Sequence, residues 1–236
     1  LSWAPPESYS DQSEFRRDLR AQARAGKLGS GPTAWLAPTR PREELYDTIS
    51  DPHQLGNLAG NSNAEAAAAL TRLRAGLRAW LLEIRDAAFL AEEDAHARAG
   101  DGALFDVARR PGAYPFERVL AMAELVGDPA AVAQQRAGLR DADAAVRTWA
   151  AIGFAANHDG TRQTRADLVS AMSDRSAAVR IEAAGALLGA TGDPAARDLL
   201  VRELQSNDGN VAVHAARTLE LLGQSALPAL EPIRAR

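Results

Sequence analysis

Hydrophobic residues recur along this chain in two rhythms. Between Asn63 and Asp86, Leu70, Leu73, Leu77, Trp80, Leu81 and Ile84 fall at steps of three and four, which predicts one long amphipathic helix with a single apolar face. Phe15, Leu19 and Ala23 repeat that spacing on a smaller scale and predict a short helix capped by Asp11 or Ser13. It follows a Pro- and Ser-rich loop, "LSWAPPESYS". Gly26, Gly29, Gly31 and Pro32 in "GKLGSGP" oppose its continuation, and "EELYDT" predicts a short strand around Leu45 and Tyr46.

The second rhythm begins near Phe116. Three segments align, from Leu139, Met172 and Leu204, and put Val146, Val179 and Val211 in register at spacings of 33 and 32. "GDPAA" recurs at Gly127 and Gly192, with "NHDG" at Asn157 between them. Such a period predicts stacked helical hairpins. In each link Gly ends one helix, Asp caps the next and Pro enters its first turn. Asp143, Asp174 and Asp208 are placed to cap the following helices. The paired small residues Ala150 and Ala151, Ala183 and Ala184, Ala215 and Ala216 mark where helices approach closely, while Val132, Leu139, Leu168, Val169, Leu199, Leu200 and Leu204 come from the alternating helices.

Residues 87–115 lie between the two rhythms. A helix through "FLAEEDAHARA" is followed by a Gly- and Pro-rich connector with at most one further helical turn. The expected division is therefore 1–86, 87–115 and 116–236, in a mainly α chain whose second half is an α-solenoid.

Composition agrees. Of the 236 residues 46% are hydrophobic but only 5% aromatic, and Ala dominates, which favours close-packed helices. A net charge of −4 without a basic block gives no footprint for nucleic acid. No apolar run is long enough to predict a membrane helix, and no signal peptide is evident. The absence of cysteine removes disulfides, thiolate metal sites and a Cys nucleophile. A start at Leu1 predicts a processed protein or a piece of a longer one.

The densest polar punctuation is "EELYDTISDPHQLGNLAGN", residues 43–61. Asp51 can cap a helical turn with Pro52 at its first position and Gln54 three residues on, where it could close a capping box. Gly56 and Asn57 tolerate the left-handed conformation, Leu55 and Leu58 can point inward, and Asn61 or Ser62 can cap the long helix. Read this way, the stretch is a joint without chemistry.

The same stretch resembles the C-terminal signature of the sulfatase family, of the alkaline-phosphatase-like superfamily. Glu44, Leu45, Tyr46, Asp47, Asp51, Pro52, Asn57, Leu58 and Ala59 match it, while Thr48 stands for an apolar residue and Gln54 for a Glu. "LRAQARAGKLGSG", "LRAGLRAWLLEIRD" and "RRPGAYPFERVL" are similar to flanking parts of members that append repeats, and the second half resembles short HEAT-like repeats, including those related to bilin lyases. The resemblance implies a strand and long closing helix from a sulfatase C-terminal subdomain, whose formylglycine and Ca2+ belong to a catalytic domain before Leu1. That domain is then the expected partner, a protein or sulfated polymer could dock on the repeats, and the location would be periplasmic or secreted. No Cys/Ser-x-Pro-x-Arg motif is present, since "SGPTA" from Ser30 lacks the Arg. No catalytic, cofactor-binding or metal residue is therefore expected in this chain. The alternative is a free-standing scaffold that binds a protein on its concave face; a lyase-like, cofactor-handling role has no dedicated residues.

Other chemistry-bearing residues have plainer readings. His53, His96, His158 and His214 show no zinc spacing. His96 shares a helix face with Glu92, His158 sits in a link, and His214 is an interface or edge residue. "GKLGSGPT" is a phosphate loop in composition only. "EEDAHAR" reads as a charged helix face, Arg109 and Arg110 as connector surface, and Trp149 as core.

Overall fold

The computed structural model describes residues 9–60, 63–157 and 161–229. Among these residues there are α-helices and short 3-10 turns but no strand, so the helical class expected from composition holds. Of the loop read into residues 1–10, Ser10 instead begins a 3-10 turn (Ser10–Gln12), while residues 1–8 and the His158 link lie outside the described residues. The chain forms two compact units, residues 1–79 and 80–236.

The first unit holds α1 (Glu14–Arg24), α2 (Ser30–Trp35) and most of α3 (Ala64–Ile84). Ser13 is the cap of α1, its Oγ accepting from Arg16 N at 3.2 Å. Asp11 instead receives Arg20 Nε at 3.0 Å. The Gly- and Pro-rich segment forms a helix where only breakers were read. Gly29 supplies the extended N-cap, and Pro32 falls in the first turn, where its missing N–H costs no hydrogen bond. Asn63 starts α3, its Oδ1 accepting from Glu65 N at 2.8 Å; Asn61 and Ser62, the caps read from sequence, lie outside the described residues. The apolar face of α3 is only partly covered: Leu70, Leu81 and Ile84 are half-buried, but Leu73, Leu77 and Trp80 are 54%, 56% and 55% exposed. Periodicity located the helix, but burial needs a partner surface as well.

In the second unit a 3-10 turn (Ala87–Phe89), α4 (Glu92–Ala99) and α5 (Leu104–Arg109) precede the repeats. Helices α6 (Phe116–Ala123), α8 (Ala144–Asn157), α10 (Ala177–Thr191) and α12 (Gly209–Leu222) pack side by side in one layer. Behind them lie α7 (Val132–Gly138), α9 (Arg162–Ala171), α11 (Pro194–Glu203) and a terminal 3-10 segment (Gly223–Ala229). The links form as read: Gly127 and Gly192 take φ of 78° and 68°, and Asp128 and Asp193 cap the next helices through Ala130 N and Ala195 N at 2.9 Å. Asp143 and Asp208 likewise cap α8 and α12. Asp174 lies two residues before the Ser176 N-cap, accepts from Ser176 N at 2.8 Å, and is spent chiefly on an ion pair.

Close approach explains the small residues. Ala150, Ala151, Ala183, Ala184 and Ala215 are fully buried, and a Cβ at Gly185 would come within 2.6 Å of Thr218 Cγ2. Ala216 and Val169, read as packed positions, are exposed because each turns to the outer side of its helix.

Residues 87–115 are more than a loose connector. Leu90, Ala95, Ala108 and Tyr114 share one apolar cluster with Phe116, Val119 and Leu120 of α6 and Ala145 and Val146 of α8. Phe89 stacks near Phe116 and Trp149, with ring centroids 5.4 and 5.6 Å away. Arg85, at φ 51°, donates to Ala108 O and Tyr114 O, and Tyr114 Oη donates to Asp86 O at 3.0 Å.

Candidate functional site

The expected strand at Leu45 and Tyr46 does not form: residues 43–47 are irregular and are held chiefly by one side chain. Asn57 Oδ1 accepts from Leu45 N at 2.9 Å and from Ala59 N at 2.9 Å, while its Nδ2 donates to Glu43 O at 3.1 Å. Leu58 N adds a bond to Leu45 O at 2.7 Å. An amide thus does the work of a neighbouring strand. The turn beside it differs from the expected capping box. Asp47 closes the first turn, accepting from Ile49 N at 3.0 Å and Ser50 Oγ at 2.7 Å, and these bonds hold its carboxyl below the usual range. Asp51 Oδ2 accepts from Gly56 N at 2.8 Å, and Gln54, not Gly56 or Asn57, takes positive φ, at 55°. Leu55 lies exposed over Gly31 rather than inward. Arg74 forks onto Glu43, which lowers that carboxyl. Asp47, Asp51 and Asn57 thus spend side-chain oxygens on the backbone of this same stretch.

In the repeats, arginines form a ladder. Arg147 is buried and forks onto Asp174 of the next repeat at 2.7 and 2.8 Å, its Nη1 also donating to Asp141 O and Ala142 O. Arg180, one period on, donates to Asp174 O and Arg175 O and reaches Glu203 at 2.6 Å. Arg118 makes the same reach to Asp141 at 3.4 Å from a more exposed position. Burial raises the Asp174 carboxyl, but the Arg147 bonds outweigh it and leave it lowered.

Connector helix α4 carries the densest charge cluster. Arg98 donates to both oxygens of Asp94 at 3.0 and 2.9 Å, to both of Asp143 at 3.0 and 2.8 Å, and to Ala113 O at 2.9 Å. One turn earlier Glu93, 8% exposed, meets His214 Nδ1 of α12 at 2.7 Å, and Glu182 of α10 meets His214 Nε2 at 2.9 Å. A neutral imidazole has one N–H donor, so two carboxylates on its two nitrogens call for the imidazolium. Burial depresses the imidazolium, but the bonds and charges of Glu182 and Glu93 prevail and hold its pKa at about 9. With both nitrogens occupied, the ring offers neither a base nor a metal ligand.

His214 is thus an interface residue, as read. Glu93 is not part of a solvated face, whereas Glu92 and His96 are, 3.9 Å apart and exposed. Trp149 is half-buried and donates Nε1 to Phe89 O at 2.8 Å. Arg109 covers the Phe105 ring at 3.6 Å and donates to Ile84 O. His53 is exposed. A cleft of about 110 Å³ between α7 and α9 is lined by Leu139, Arg140, Asp167, Ser170, Ala171 and Asp174. Its acids are already paired, Asp167 with Arg136 and Arg140, Asp174 with Arg147. Among the described residues no group of three or more His, Asp or Glu is arranged to hold a metal ion, and no helix is long and apolar enough to cross a membrane. The Glu93–His214–Glu182 triad was not legible in sequence, since its first two members are 121 positions apart.

Comparison with known proteins places these features. Over 89 residues, 38% of this chain, it is 36% identical to the Ulvan-active sulfatase of Formosa agariphila, and the match covers 15% of that protein. The chain therefore matches only a small part of that relative. Residues 135–220 and 165–236 match the family model for HEAT repeats. The paired helices from α7 onward thus match HEAT repeats, and 89 residues of the chain are similar to a small part of a sulfatase.

Proposed function

We propose that this chain is a non-catalytic C-terminal part of a sulfatase. It closes a catalytic domain that precedes Leu1 and carries HEAT repeats as a docking surface for a protein or a sulfated polymer. The observation that carries this reading is α3. Leu73, Leu77 and Trp80 form an apolar stripe more than half exposed along a helix otherwise rich in Arg, and such a stripe is the expected counterpart of a missing body. The irregular backbone of 43–47, held largely by Asn57, lacks the strand neighbours that the resemblance leads one to expect. The likeness to a sulfatase over 89 residues supports the same assignment. Formylglycine and Ca2+ would sit in the preceding domain, and a periplasmic or secreted location follows from the same resemblance.

Two measurements test this. The purified chain should release no product from an aryl sulfate; turnover would refute the assignment. The coding sequence upstream of Leu1 should continue in frame into a domain with Cys/Ser-x-Pro-x-Arg, and that domain, expressed separately, should bind this chain. A start codon at Leu1 would favour the free-standing scaffold, a reading that draws on Val213, Leu221 and Leu227, exposed at the end of the stack.

A further inference from the structure

Helix α4 touches the repeats at two distant points. Its C-terminal end is fixed by Arg98 to Asp143, the N-cap of α8. Its N-terminal turn is fixed by Glu93 to His214, in the middle of α12. Helix α10 lies between α8 and α12, with α9 and α11 behind it, and α4 packs on both α10 and α12. The helix therefore runs as a strap from α8 over α10 to α12. The 3-10 turn before it is tied down as well, through Trp149 Nε1 and Phe89 O.

The two anchors differ in chemistry. A guanidinium keeps its charge at any pH a folded protein meets. An imidazole does not. The charged groups facing His214 are Glu93 from α4 and Glu182 from α10; on α12 itself Arg217 is engaged with Glu220. A neutral His214 can donate to one carboxylate only. Glu182 belongs to the neighbouring repeat helix and keeps its place whether or not the strap is seated. Glu93 is buried and would be left beside a bare ring nitrogen and a second carboxylate, an arrangement that desolvation and like charge both oppose.

We propose that α4 is a proton-controlled strap that clamps the last repeat to the first while His214 is charged and releases α12 when it is neutral. The release is local: Arg98 and the aromatic cluster hold the rest of the connector. The face of α10 and α12 beneath the strap's first turn is then uncovered, and the stack is free to open at its C-terminal end. This inference does not depend on the sulfatase assignment.

The test is amide hydrogen exchange of the full chain between pH 6 and 10, corrected for intrinsic rates, with His214 followed by NMR. Protection of residues 91–95 and of the middle of α12 should fall, by up to about tenfold per pH unit, as pH rises from the ordinary histidine value of 6.5 towards the folded-state midpoint of about 9, and should level off above it. Protection in α8 should not change. His214→Gln should show the low-protection state of 91–95 at every pH. Glu93→Gln should lower protection of 91–95 and bring the His214 midpoint down, while α10 stays protected. Protection of 91–95 that ignores pH in the unmodified chain overturns the proposal. So does a fall shared by the whole of residues 80–236, which would be unfolding. Should a variant fail to fold, the titration of the unmodified chain still decides.

Discussion

Asn57 shows how much a single side chain can carry. Its amide accepts two backbone N–H bonds and gives one to a carbonyl, so Asn57→Ala strands three partners at once. The expected loss is about 1–3 kcal/mol of local stability, seen as faster amide exchange across residues 43–59 while the repeats stay protected. Gly185 is the opposite case, a residue needed for what it lacks. Gly185→Ala puts a methyl into Thr218 Cγ2, and overpacking of this kind costs about 1–3 kcal/mol, read as a lower Tm. Neither role is written in the residue itself. Asn57 was legible as a turn former, but its partners lie 12 and 14 positions back, and only the folded chain brings them alongside.

Among the elements, the repeat helices answered to their sequence best because each link contains its own instructions. Gly127 and Gly192 take the left-handed turn, Asp128 and Asp193 supply the cap, and Pro129 and Pro194 fit the first turn, all within three residues. The arginine ladder rests on the same period, and it makes a graded prediction. Arg147→Ala removes a buried guanidinium, leaves a half-buried Asp174 without its fork, and should cost about 1–3 kcal/mol in urea unfolding. Arg118→Ala removes a longer, half-exposed pair and should cost less than about 1 kcal/mol. Elements read less well where the deciding partner was remote. A strand was expected at Leu45 from β-favouring residues, but a strand needs a neighbour, and the neighbour here is a side chain. A helix at Ser30–Trp35 was missed because breakers were counted without regard to position, and Gly29 and Pro32 stand where a helix start tolerates them.

For the whole molecule, one proton links the connector helix α4 with α10 and α12. The folded-state pKa of His214 is raised, so its contribution to stability is complete below its ordinary 6.5 and declines as pH rises towards about 9. Over that window unfolding free energy should drop by up to about 1.4 kcal/mol per pH unit, a slope that His214→Gln should abolish. At the acid end the lowered carboxyls of Asp143 and Asp174 act in the other direction, their contribution being lost as pH falls below the ordinary carboxylate range. The α3 stripe makes a separate prediction: Leu73→Glu with Leu77→Glu should leave the Tm of this chain nearly unchanged while abolishing its association with a catalytic domain. The sequence by itself determined the helical class, the repeat period, the caps of the links and the place of the long helix, because these depend on neighbours within about one turn or one period. Only the tertiary structure decided which faces are buried, that Asn57 stands in for a strand, and that Glu93, Glu182 and His214 meet, because burial and charge pairing depend on residues that the fold, not the chain order, makes adjacent.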